Sequence, residues 1–330
     1  MSSSRSRTTR KVSSITVALV IGSLLVFSGL TSGAQAAKVP VLGWSPSTNG
    51  GFDFGTLDAS TGQTGSQTFT LTNADGKSSG VVTIALSGSS TFTKTADNCA
   101  GKRLAPKKSC TVTARYAPTN NGSNAATLTA SSQNAANATL SLTGASAWQN
   151  GDEMTNGQAD WDSSSLLVTD FDSVYGSNFS FSVTVGLPNP GFSMTFGGPS
   201  YVEAFLPQSG APGALDANLD NPTTSSSGVF GGDVLSLQLN VDFNDAGFLT
   251  GTSNLKFGDL TLCGFTTLSD LNGMSVRQFL DVVNTALGGG ATTDSIASLQ
   301  PVTASTNAAF VGGSPSTFAQ THLFPGTCPA

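Results

Sequence analysis

The chain of 330 residues has 20 acidic and 14 basic side chains, a formal net charge of −6, and only 10% of its residues are charged. The charges are divided unevenly: residues 37–147 have eight basic and four acidic side chains (net +4), whereas residues 148–330 have two basic and sixteen acidic ones (net −14). Such asymmetry is typical of two domains with different surfaces, and the acidic half lacks the basic footprint of nucleic-acid binders, so we expect no nucleic acid among the partners.

Residues 1–36 have the features of a secretory signal peptide. Four basic side chains precede an apolar run over residues 15–30, and Ala34-Gln35-Ala36 offers small residues for cleavage after Ala36. The run is short for a span of about 20 apolar residues, and no later segment is apolar enough to cross a bilayer. The sequence predicts a bacterial protein that is secreted or periplasmic, with no membrane span after removal of the signal.

Residues 37–147 predict an immunoglobulin-like β-sandwich. Short runs of alternating apolar and polar residues, such as those around Phe69, Val82 and Val112, are separated by turn residues. Roughly seven strands in about 100 residues are typical of that fold.

The segment 43–145 also resembles a known family. FDFGTL, FTLTN, NCAGKRLAPKKSCTVTARYAPTNNG and LSLTG occur in the order and spacing of the abnormal-spindle/Hydin-type immunoglobulin-like domain, which is called choice-of-anchor D in bacterial secreted proteins. One departure is Lys107-Lys108, where the family usually has a glycine and a small residue. The resemblance implies the same sandwich fold.

The four cysteines indicate two disulfides. Cys99 and Cys110 lie on either side of a Leu-Ala-Pro turn; a metal site would need more ligands, and a redox pair would favour Cys-x-x-Cys. In an exported protein a disulfide is the simplest interpretation. Cys263 and Cys328 then form the second pair, which would pin the end of the chain onto a sheet, although four cysteines allow three pairings.

The loop between the first two cysteines is a candidate basic binding patch, although its composition favours a solvated loop. Its four cations are Lys102, Arg103, Lys107 and Lys108. A solvated loop is the alternative interpretation.

After a polar linker at 148–165, residues 166–330 predict an acidic α+β domain. Strict alternation over 235–243 predicts a strand with one wet face. Farther on, the period of 3.6 over 276–287 predicts a helix with a Ser275/Gln278 capping box. A weaker helix over 295–310, interrupted at Pro301, follows it. Ser314-Pro315 opens a third, short helix. The fold class is therefore mainly β, a sandwich followed by an α+β domain with short helices at its end. This part resembles a region that recurs in bacterial secreted proteins and implies no activity.

Aspartates are the candidate ligands of the second domain. Asp170, Asp172, Asp242 and Asp245 supply oxygens that suit a weak extracellular calcium site, the one cofactor that the sequence suggests. Paired carboxylates of this kind would also suit a polysaccharide-active enzyme. A Ser-His-Asp hydrolase would depend on His322 as the only available base, and a lone histidine is usually structural.

These observations favour an exported, non-catalytic protein that binds or scaffolds at the cell surface, with an extracellular protein or a cell-envelope polysaccharide as its partner. The alternative is an extracellular, carboxylate-dependent enzyme that acts on polysaccharides. Self-association through the second domain is a third possibility.

Overall fold

The computed structural model describes residues 38–74, 76–176, 181–253 and 255–328. The predicted signal peptide lies outside these residues. Eight strands come first: β1 (Leu42–Ser45), β2 (Gly51–Leu57), β3 (Gly65–Asn73), β4 (Thr83–Gly88), β5 (Phe92–Asp97), β6 (Ser109–Tyr116), β7 (Gly122–Ser132) and β8 (Ala135–Ser146). They form two four-stranded sheets with the orders β1-β3-β6-β5 and β2-β8-β7-β4.

The two sheets bury one shared hydrophobic cluster, which makes them a β-sandwich. Alternate residues point inward: Phe69 and Leu71 of β3 are fully buried, while Thr68 faces outward and shares a hydroxyl hydrogen bond of 2.9 Å with Thr113. In the other sheet Leu140 is likewise buried in this cluster. The alternation follows from the period of two along a strand, which sends successive side chains to opposite faces.

The rest of the described chain combines helices with short strands. The helices are α1 (Gln158–Asp162), α2 (Ser165–Tyr175), α3 (Pro199–Phe205), α4 (Val229–Ala246), α5 (Val276–Leu287), α6 (Ile296–Asn307) and α7 (Thr317–His322). The strands are β9 (Val183–Gly186), β10 (Ser193–Phe196), β11 (Leu219–Asp220), β12 (Thr261–Leu262) and β13 (Leu323–Phe324). These five strands form a three-stranded sheet, β11-β10-β9, and a two-stranded sheet, β12-β13. The architecture is thus strand-rich, with its helices in the C-terminal half.

The strand predicted over 235–243 is wrong, because these residues belong to helix α4. Apolar side chains are buried on every side of α4, which packs against α1, α2, α5 and α6, so its sequence shows no single apolar stripe. Two of its buried amide side chains are hydrogen-bonded: Asn240 donates to the Asn156 carbonyl and accepts from the Asn156 amide, both at 2.8 Å, and Asn244 donates to the Leu249 carbonyl at 2.7 Å. The alternation therefore reflects a largely buried helix with satisfied amides.

The later helices agree better with their sequence patterns. Helix α5 begins after Ser275, whose hydroxyl accepts from the Gln278 amide while the Gln278 side chain accepts from the Ser275 amide, the reciprocal pattern of a capping box. Helix α6 runs through Pro301 without ending there. Helix α7 begins after Ser316, two residues later than predicted.

The segment 148–165, predicted as a polar linker, contains buried residues. Trp148 and Trp161 are buried in the second hydrophobic cluster, and Asp152 and Glu153 are also buried. Two indole rings carry too much apolar surface to remain in a solvent-exposed connector. The two buried carboxyl groups are hydrogen-bonded, since Asp152 accepts from the Gln149 amide and Glu153 accepts from the Ser253 hydroxyl.

Trp148 joins the sandwich to the end of the chain. Its indole N–H donates to the Leu323 carbonyl at 2.8 Å, and its backbone exchanges two hydrogen bonds with the Gln320 amide. In the β6–β7 loop, Asn120 donates to the Thr327 carbonyl at 2.7 Å. The Cys263–Cys328 disulfide fixes this tail, so the disulfide also stabilises the contacts that Trp148 and Asn120 make with it.

The hydrophobic residues of the described chain fall into two clusters, one in the sandwich and one from Trp148 onward. Contacts nevertheless place Lys38–Ala330 in a single compact unit. The domain boundaries drawn from the sequence stay a prediction. No described helix is both long and apolar enough to cross a bilayer.

The buried position of α4 leads to a stability prediction. Replacing the fully buried Leu239 with alanine removes apolar contacts and leaves a cavity, so we expect the free energy of unfolding to fall by about 2–5 kcal/mol in urea denaturation. The control is Val168→Ala on α2, where the side chain is 59% exposed and the expected change is under about 0.5 kcal/mol. Equal, small effects at both positions would contradict the buried helix.

Candidate binding site

Strand register places the basic loop at the end of the sandwich away from Trp148. At one end Asn73 pairs with Leu42, and Ser131 pairs with Thr83. The segments 74–82, 98–108 and 132–135 connect strands there, and we call this the distal end. At the other end Gly122 pairs with Ser146, next to Trp148. The cysteine loop is therefore separated from the C-terminal half by the length of the strands.

Buried groups hold the distal loops together. Asn73 donates to the Leu104 and Lys77 carbonyls, both at 2.8 Å. Leu104 is itself buried, and its amide donates to the Ser79 hydroxyl at 2.8 Å. The Cys99–Cys110 disulfide, with a Cα–Cα distance of 5.1 Å, closes the base of the loop. The loop that carries the cations is thus anchored at several points.

The distal end is strongly basic, because it carries six exposed cations. They are Lys38, Lys77, Lys102, Arg103, Lys107 and Lys108. In the part of the chain that the structure describes, the ion pairs are Lys94 with Asp97 and Arg277 with Asp245 and Asp259. None of the distal cations takes part in these ion pairs.

Lys107 has a strained backbone for a lysine. Its φ of 62° lies in the left-handed region that favours glycine. Its ammonium group donates to the Ala74 carbonyl. A residue that keeps its charge at a conformational cost is a candidate for a functional role.

A pocket of about 410 Å³ adjoins this loop where the edge strand β4 meets β7. Its lining residues are Val81, Thr83, Arg103, Ser131, Ser132 and Gln133. Sequence reasoning identified Arg103 but missed the hydroxyl residues, because only the register of β4 against β7 brings Thr83 beside Ser131.

Two of the aspartates proposed for calcium have protein partners. Asp242 accepts hydrogen bonds from the Tyr175 hydroxyl at 2.8 Å and from Gln238, and burial raises the pKa of Asp242 despite these bonds. Asp245 forms a two-point ion pair with Arg277 at 2.7 and 3.1 Å. A guanidinium beside these carboxyls opposes a second cation there.

The other two candidate ligands lie on helix α2. Asp172 is exposed, and Asp170 accepts from the Thr169 hydroxyl at 2.6 Å. Within the described ranges no group of three acidic, histidine or cysteine residues is arranged to hold a metal ion. Calcium binding by these aspartates stays a prediction.

His322, the one histidine considered as a catalytic base, has contacts with neighbouring protein groups. His322 stacks on Phe265 at 4.5 Å, and its Nδ1 lies 2.7 Å from the Cys263 carbonyl, next to the terminal disulfide.

Three buried acids lie at the junction of the sandwich with the C-terminal half. Burial raises the pKa of Asp152, and the negative charge of Asp58 in the β2–β3 loop raises it further. Although burial opposes it, hydrogen bonds from Ser60 and Thr61 lower the pKa of Asp58. Burial also raises the pKa of the adjacent Glu153 to about 7, despite bonds from Ser253 and Asn244, with Lys256 as the nearby cation.

No protein-family model matches the chain, and no curated protein matches it. Solved structures that are similar to part of it include the ASH, or PapD-like, domain 7 of human CEP192, at 14% identity, 37% of this chain, 96% of that chain and a TM-score of 0.26. The secreted serine protease VesC from Vibrio cholerae is similar at 18% identity, 29% of this chain, 22% of that chain and a TM-score of 0.25. A protein of unknown function from Porphyromonas gingivalis W83 is similar at 17% identity, 35% of this chain, 51% of that chain and a TM-score of 0.26.

These likenesses cover a minor share of the chain, and the chain spans only about a fifth of VesC. At such TM-scores they support no functional assignment.

The raised pKa of Glu153 leads to a prediction about pH. The pKa is 4.5 for an ordinary glutamate and about 7 in the folded protein, so the contribution of this group is fully present below pH 4.5 and is lost as pH rises to 7. Relative to the Glu153→Gln variant, we expect the wild type to lose about 3 kcal/mol of unfolding free energy over that range and no more above it. Urea denaturation from pH 4.5 to 8 measures this difference, and a difference that does not change with pH would contradict the prediction.

Proposed function

We propose that the protein is an exported, non-catalytic binding protein whose sandwich, of the abnormal-spindle/Hydin type, attaches it to an anionic polysaccharide of the cell envelope. The observation that carries the proposal is the distal end, where six exposed cations lack carboxylate partners among the described residues. An anionic polymer would supply the missing negative charge over several of these positions at once.

Two further observations support this proposal. The cations stand on loops anchored by Asn73, by Leu104 and by a disulfide, so binding would order little of the backbone. Lys107 keeps a charge where its backbone favours glycine. Export fits the two disulfides, because such bonds persist in oxidising compartments.

The C-terminal half is proposed to act as a second, acidic body that the tail and Trp148 hold against the sandwich. Two of its candidate carboxyls, Asp242 and Asp245, are bonded to Tyr175 and Arg277, which gives no support to a carboxylate-dependent enzyme.

Co-sedimentation of the purified protein with insoluble cell-envelope polysaccharide tests the proposal. We expect the Lys102→Gln/Lys108→Gln variant to bind at least about tenfold more weakly than the wild type, because it removes two exposed charges from the distal end. We also expect 0.5 M salt to abolish wild-type binding, because the Debye length then falls below about 5 Å.

The matched control is Arg115→Gln, which removes one exposed charge from strand β6, as Lys108→Gln does at the distal end, and should change the affinity by about threefold at most. Equal losses in both variants would contradict a site at the distal end. Light scattering at low salt checks a different outcome: concentration-dependent association would mean that the cations bind the acidic half of a second copy.

A further inference from the structure

The pocket beside Arg103 has a composition that differs from the rest of the distal end. Three hydroxyl groups, one amide, one guanidinium and one apolar side chain surround about 410 Å³. That volume lies within the range of small-ligand pockets, about 300–1,000 Å³. Arg103 comes from the loop of one sheet, whereas Thr83 and Ser131 are an edge pair of the other sheet. The pocket therefore forms where the two sheets meet.

The polar groups of the pocket are available to a ligand. Arg103 makes no ion pair within the described residues, and its side chain is exposed. Thr83 and Ser131 share one hydrogen bond of 2.7 Å, which uses only one of their two hydroxyl protons. The second proton and the remaining lone pairs can bond to a ligand hydroxyl, since each hydroxyl group both donates and accepts.

An apolar side chain completes this lining. Val81 is 44% exposed, although it lies beside Val82, which is fully buried in the sandwich. A sugar ring presents C–H groups on its faces and hydroxyl groups around its edge, so an apolar wall with hydroxyl neighbours matches it. A guanidinium beside these groups matches a carboxylate, which it binds through two parallel hydrogen bonds.

We infer that this pocket binds one acidic sugar of a carboxylate-bearing polysaccharide, with Arg103 on the carboxylate and Thr83 and Ser131 on the ring hydroxyls. The inference rests on the proposed function, because it assumes that the distal end binds an anionic polysaccharide. It adds a specific position at which the polymer is recognised. Lys102, Lys107 and Lys108 do not line the pocket, so they attract the polymer without selecting its sugar.

Titration of the purified protein with polygalacturonate oligomers tests the inference. We expect Arg103→Gln to lower the affinity about tenfold to hundredfold, because the bidentate bond is lost, and Arg103→Lys to recover little of it. Lys108→Gln removes the same charge outside the pocket and should cost about two- to fivefold. Arg115→Gln, on an exposed position of β6 at the opposite end, should leave the affinity unchanged.

Two further arms separate sugar recognition from charge. Methyl-esterified oligomers keep the ring and lose the carboxylate, so we expect them to bind at least tenfold more weakly. The Thr83→Val/Ser131→Ala variant keeps every charge. Its affinity for polygalacturonate should fall several-fold, with the same salt dependence as the wild type, whereas its affinity for polyphosphate should not change. Thermal unfolding of each variant verifies that the sandwich is intact.

The outcomes distinguish the inference from the proposed function. Equal weakening of polygalacturonate binding by Arg103→Gln and Lys108→Gln would overturn the inference. So would polyphosphate binding as tight as polygalacturonate binding together with no effect of the Thr83→Val/Ser131→Ala variant. In both cases the pocket does not recognise a sugar, while the distal end remains an anion-binding surface. If the wild type binds neither polygalacturonate nor envelope polysaccharide, the proposed function fails with it.

Discussion

The junction at Trp148 is the constraint on which the arrangement of the molecule depends. Its ring packs against Phe310 at 5.1 Å, and its indole N–H and backbone bond to the tail at Leu323 and Gln320. The tail is in turn tied to the second hydrophobic cluster by the Cys263–Cys328 disulfide, which closes a long loop and restricts the unfolded chain. One end of the sandwich is occupied by these contacts, which leaves the loops of the opposite end exposed.

The sequence predicted the sandwich well because its strands have one buried and one wet face, so alternation and structure agree. Helix α4 shows why the same signal failed later. A helix that is buried on all sides loses its stripe, and its amides, such as Asn240, are accommodated by partners distant in the chain, which include Asn156 and Asn307. No local pattern reports such partners. Helix α5 has one exposed face and a capping box, and its pattern predicted its bounds at 276–287.

The residues of the candidate site also include some that the sequence could predict and some that it could not. Four of the cations are close together in the sequence, within one loop, so their clustering follows from the order of the residues alone. The hydroxyl residues of the pocket come from β4 and β7, about fifty positions apart, and are joined only by the register that pairs Thr83 with Ser131. The burial of Glu153 was also unpredictable, because its partners Asn244 and Ser253 follow about a hundred residues later.

The separation of the two charged regions decides whether the distal cations can act. Strand β8 has 12 residues and runs from the distal hairpin to the junction, which at about 3.3 Å per residue corresponds to nearly 40 Å. The Debye length at physiological ionic strength is about 8 Å, so the acidic half stands several screening lengths away. Its charge therefore neither neutralises the distal loops nor repels a polymer bound there. In the proposed function, a polymer bound at the distal end would therefore have the C-terminal half on the far side of the sandwich.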